Sequence, residues 1–103
     1  MRQQQPLAHP NTAIRGNNHL VLGYLHQVQL CIKQLEKMGL HVINVHFENI
    51  KPKVRVQPCL KTYELQQSQQ ALCYICGNDN RKFEEYQMMV EGIKVVWRHY
   101  PIH

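Results

Sequence analysis

The segment Cys73-Tyr74-Ile75-Cys76-Gly77 comes nearest to chemistry by residue type and spacing, because a C-x-x-C followed by glycine is how a zinc knuckle turns two thiolates toward one ion. Alone it is half a ligand set. Cys59, Cys31 or histidines such as His41, His46 and His99 would have to complete it, and no second pair stands at ligand spacing. A zinc site on Cys59, Cys73 and Cys76 stays open as the metal-binding alternative, beside the simpler account that the thiols are buried. Residues three apart on a continuous strand point to opposite faces, so the pair is expected to chelate only if the strand breaks between them. A redox C-x-x-C should open a helix after a strand, whereas this one precedes a turn. Neither a metal nor a cofactor is expected.

Lys53, Arg55, Lys94 and Arg98 alternate with apolar residues along two candidate strands, and the turn after Gly77 leads into Arg81 and Lys82. If those strands are neighbours, the six side chains form a basic face. Such a face, with His46 and Tyr100 nearby, could track phosphates with a salt-sensitive affinity that ignores base sequence. The competing account is that these charges keep a wet sheet face soluble. Aromatic residues are sparse in the pattern, which argues against base stacking.

Enzymatic chemistry finds no foothold, and a small-molecule substrate is not expected. The seven histidines are scattered, and Glu84 and Glu85, adjacent on one strand, cannot share a substrate as general acid and base. No nucleophile elbow, phosphate-cradling glycine loop or zincin helix occurs. The expected mode of action is binding.

The elements that must position these groups follow from periodicity. Residues 1–17 hold Pro6, Pro10, Gly16 and several amides, and are expected to form a flexible arm ahead of one domain over 18–103. Asn17 or Asn18 can cap a helix whose apolar stripe is Val21, Leu25, Val28, Ile32 and Leu35, closed by Gly39 in the left-handed conformation with Leu40 folding back. After Gly39 the period changes to two: Ile43, Val45 and Phe47 make one strand, and Val54 and Val56 its hairpin partner. A Gln-rich connector over 60–70 is either a mobile link or a short helical excursion. Ala71 to Cys76, Phe83 to Val90 and Ile93 to Trp97 then form a meander, with Glu91-Gly92 as a tight reversal. The fold class is α+β: one amphipathic helix on a five-stranded sheet, with every pairing expected antiparallel because the links are short.

A length of 103 residues fits one domain that can bury a core without metal or disulfide. Lys and Arg outnumber Asp and Glu by 12 to 7, which favours nucleic acid or an acidic protein surface as partner. No apolar run reaches membrane-spanning length, since Gln27, Gln29, Lys33 and Glu36 interrupt the richest one, so no membrane partner is expected. The opening Met1-Arg2-Gln3-Gln4-Gln5-Pro6 lacks an apolar signal region, and a reducing cytoplasm is the expected setting.

Three stretches carry a resemblance. Met38-Gly39-Leu40-His41-Val42-Ile43-Asn44-Val45, Lys51-Pro52-Lys53-Val54-Arg55-Val56 and Glu91-Gly92-Ile93-Lys94-Val95-Val96-Trp97-Arg98 together resemble small uncharacterised proteins encoded by phages and prophages. The likeness covers about half of the chain and does not extend over Pro58 to Asn80. It implies an accessory protein in a bacterial host cell that binds a host protein or ribonucleoprotein complex, for example as an anti-CRISPR-like inhibitor. The alternative is a basic module that binds DNA or RNA directly.

Overall fold

The computed structural model describes the backbone of residues 9–101 and the side chains of residues 18–101; the first eight residues of the expected arm lie outside the described residues. Helix α1 spans His9–Lys37, so it begins well before the expected cap at Asn17 or Asn18. Pro10 does not prevent this, because it falls in the first turn, where backbone N–H groups have no intrahelical acceptor to lose. The helix ends as expected. Gly39 adopts φ +82°, its N–H bonds the Glu36 carbonyl at 3.0 Å, and the Leu40 N–H reaches the Leu35 carbonyl at 2.9 Å. This double bond pattern turns the chain back and lets Leu35 and Leu40 share the core.

Five strands follow, β1 Val42–Glu48, β2 Lys51–Val56, β3 Leu72–Asn78, β4 Lys82–Val90 and β5 Ile93–His99, with a second helix, α2 Leu60–Gln67, between β2 and β3. Their order in the sheet is β1-β2-β5-β4-β3. Glu91 and Gly92 both take positive φ, +53° and +76°, which is the geometry a two-residue hairpin needs to match strand twist. One expectation is corrected: β2 and β5 run parallel. The connection carrying α2 is long enough to take the chain across to β3 at the far edge, and β5 returns beside β2 in the same direction. The other three pairings are antiparallel.

Both helices pack on one face. Val28, Cys31 and Leu35 of α1 lie over Val54, Val56, Ile93, Val95 and Trp97 in one cluster, with Tyr24 and Ile32 packed against it. The expected stripe of Val21, Leu25, Val28, Ile32 and Leu35 is thus rotated: Leu25 is exposed, while Tyr24 and Cys31, which flank it, join Val28 and Leu35 on the inward side. The Gln-rich connector is helical over Leu60–Gln67, opened by Thr62, whose hydroxyl accepts the Cys59 N–H at 2.8 Å, and one of its amides is structural. Trp97, fully buried, donates its indole N–H to the Gln66 side-chain carbonyl at 2.7 Å.

Candidate functional site

Among the described residues no helix lies over the opposite sheet face, and its own long side chains cover it. Strand alternation and register put Lys51, Lys53 and Arg55 of β2, Lys94 and Arg98 of β5, and Phe83, Glu85 and Met89 of β4 on this side. Lys53 stands directly opposite Lys94 across the parallel pair, and Glu85 opposite Arg98. Four of the six expected basic residues therefore share this face. Arg81 sits at its rim, with its guanidinium 4.2 Å from the Tyr100 ring centre. Lys82 does not join them: it pairs with Asn78 on the helix side, one residue out of phase with Phe83.

Glu85 is the hub. Its side chain is 6% exposed and accepts hydrogen bonds from Arg98 Nε at 3.0 Å, from Arg55 Nη2 at 3.3 Å, and from the Tyr74 hydroxyl. Burial pushes the Glu85 carboxyl up, but the bonds from Tyr74, Arg98 and Arg55 outweigh it and hold the group below the ordinary carboxylate range. Burial, and then the hydrogen bond to this carboxylate, pushes the Tyr74 phenol well above its usual value. Arg98 also reaches Asp79 at 2.9 Å, and the Tyr100 hydroxyl donates to that same carboxylate oxygen at 3.0 Å. At the β1 end, Lys53 pairs with Glu48 at 3.1 Å. These flat-lying side chains bury Val96 and Phe83 beneath them, so part of their role is structural.

Aromatic residues are better represented here than the sequence pattern indicates. The Arg98 guanidinium lies 3.8 Å over the Phe83 ring, and the Lys94 ammonium 5.5 Å from the Tyr74 ring centre. Tyr74 reaches this side through a β-bulge: Cys73 pairs with Tyr86 and Ile75 with Glu85, which leaves Tyr74 as the extra residue. Gln87, between Leu72 and Val96 in register, buries its side-chain carbonyl without a partner.

Charge divides unequally between this face and the remaining described residues. The face and its rim hold six cations, Lys51, Lys53, Arg55, Arg81, Lys94 and Arg98, against three carboxylates, Glu48, Asp79 and Glu85. Elsewhere among the described side chains, Lys33, Lys37, Lys61 and Lys82 balance Glu36, Glu64, Glu84 and Glu91. The whole excess, three positive charges, is on the helix-free side.

The cysteines separate into three environments. Cys31 is buried under α1, and burial followed by the charge of Glu91 pushes its thiol up to about 11. Cys59 precedes α2 and is exposed. Cys73 and Cys76 are exposed on edge strand β3 with their sulfurs 3.7 Å apart, because the bulge at Tyr74 supplies the break in the strand on which a shared side depends. Among the described residues, no group of three His, Cys, Asp or Glu side chains could hold a metal ion, and Cys59 does not complete a site with the pair. Glu84 and Glu85 point to opposite sides, as adjacent strand residues do. No described helix is long and apolar enough to cross a membrane.

Comparison with the curated proteins and with the solved structures finds no match. Residues 8–100 match the model of a family described as "Uncharacterised protein", and the chain belongs to that family.

Proposed function

We propose that this is a non-catalytic accessory protein of nucleic-acid-processing machinery, and that its helix-free sheet face binds the phosphate backbone of a single strand. The observation that supports this is the segregation of charge, with the full described excess on the face that no helix covers. Lys51, Lys94 and Arg81 are the cations on it that no carboxylate engages among the described residues. Tyr74 and Tyr100, both half-buried, supply ring surface beside them, in the combination of cation and aromatic that holds single strands without sequence preference.

Fluorescence anisotropy with a labelled oligonucleotide, repeated across a salt series, tests the reading. Neutralising about three phosphates on a single strand gives a slope of log affinity against log salt of about −2. Absence of binding at low ionic strength removes it.

A second reading has its own observation. Leu20, Leu22 and Leu25 are exposed on α1 ahead of and beside Tyr24, where the helix begins to pack on the core, which is apolar surface suited to a protein partner. The protein would then act as a stoichiometric inhibitor docked on a host complex, in the manner of the phage proteins it resembles. Co-elution with a candidate effector complex that is lost in Leu20→Glu/Leu25→Glu, but kept in Lys94→Glu, distinguishes this from the first.

A further inference from the structure

Cys73 and Cys76 are held in a geometry that an unbroken strand could not give them. Pairing runs Cys73 to Tyr86, skips Tyr74, and resumes at Ile75 to Glu85 and Cys76 to Glu84, so the parity of the strand shifts between the two cysteines. Both thiols consequently emerge on the helix side of β3, exposed, with sulfurs 3.7 Å apart. Two thiolates bound to one tetrahedral zinc at about 2.3 Å stand roughly 3.8 Å from each other. The pair already has the bite of half a zinc site.

The other half is not supplied by nearby described residues. Glu84, opposite Cys76, has its carboxylate engaged by the Tyr86 hydroxyl at 3.1 Å, Cys31 is buried in the core, and no third side chain of ligand type joins the pair. Structural zinc sites are closed by four protein ligands. β3 is the last strand of the sheet, with one backbone edge unpaired and with Leu72 and Ile75 exposed along it. An edge of this kind accepts a second copy about a two-fold axis, and a two-fold contact presents the same two cysteines from each side.

We propose that Cys73 and Cys76 form a zinc half-site that is completed by the same pair of a second copy, giving one tetrathiolate ion shared across a β3-to-β3 contact. Four thiols lose their protons to solvent as four zinc–sulfur bonds form, with no change of oxidation state. The site lies on the helix side of the sheet and does not depend on the basic face.

The test is a cobalt(II) and zinc titration of the full chain, purified without chelator and kept reduced with a phosphine. Expected are the thiolate-to-cobalt charge-transfer and d–d bands of a tetrahedral tetrathiolate, saturating at one ion per two chains. Sedimentation should show the mass doubling with zinc and returning with EDTA. Cys73→Ser and Cys76→Ser should each abolish band and dimer while keeping the far-ultraviolet circular dichroism of the parent, and Cys59→Ser should change neither. No band, or saturation at one ion per chain without a change of mass, overturns the proposal.

Discussion

Replacing Glu85 by Gln should lower stability and strengthen polyanion binding at the same time. The substitution keeps the shape of the side chain but removes the charge that Arg55 and Arg98 share, and it turns an amide donor toward groups that are themselves donors. Hydrogen bonds to a charged group contribute about 1.5–3 kcal/mol each. The arginine side chains are 28% and 37% exposed, so water replaces part of what they lose. A net loss of about 2–3 kcal/mol remains after that discount. For a domain of this size it corresponds to a fall in Tm of roughly 10–20 °C.

The pH dependence gives the argument its sign. A carboxyl held below its unfolded value contributes stability that is fully present above the unfolded pKa, about 4.3, and is lost as pH falls through the folded value. Urea unfolding of parent and Glu85→Gln should therefore differ by the full amount at pH 7 and converge in acid. In anisotropy, one additional net positive charge should steepen the salt slope by about 0.7 on a single strand. A stability gap under about 0.5 kcal/mol at pH 7, or one that persists unchanged in strong acid, refutes the hub role.

Trp97→Phe leaves the buried Gln66 carbonyl without its donor and should shift the urea midpoint by about 1–3 kcal/mol of stability, with part recovered by adding Gln66→Leu. Gly39→Ala meets no atom within 4 Å, so the loss of about 1–2 kcal/mol expected in thermal melts comes from backbone conformation alone. The pair Lys51→Glu/Lys94→Glu should abolish oligonucleotide binding at low salt while leaving the melting temperature no lower than that of the parent, since it also removes the Lys53–Lys94 opposition. Iodoacetamide at pH 8 should label Cys59, Cys73 and Cys76 in the folded, metal-free protein and Cys31 only in denaturant, read by intact mass.

Local features were legible in the sequence because local chemistry specifies them. Gly39 ends α1, the period changes from helix to strand right after it, and Glu91-Gly92 reverses the chain, each as the residue types require. Features that depend on which distant segments become neighbours were not legible. Nothing in residues 51–56 or 93–99 indicates that they pair in parallel, since the register is decided by where α2 takes the chain. Gln66 looks like one solvated amide among several until Trp97 is placed beneath it. The bulge at Tyr74 was hidden because an extra residue leaves no mark in an alternation that Cys, Tyr and Ile all tolerate. Four basic-face residues could be read from alternation, but not Glu85 as their counter-charge, because an adjacent pair of glutamates reads as solvated until strand pairing separates their faces.

If the helix-free face binds phosphate as proposed, folding and binding impose opposite demands on one set of side chains. A sheet side with no helix over it must bury Val96 and Phe83 under whatever its own strands provide, and long cations do this well because their stems are apolar. Cations packed on neighbouring strands repel one another: Lys53 directly opposes Lys94, an arrangement that destabilises a sheet. Full compensation by carboxylates would relieve the strain and leave the surface neutral. The observed compromise places Glu48, Asp79 and Glu85 where they anchor Lys53, Arg98 and Arg55, and leaves Lys51, Lys94 and Arg81 without a carboxylate partner among the described residues. The residual repulsion is energy that a bound polyanion would release, so the same imbalance that weakens the isolated fold favours the phosphate-bound one.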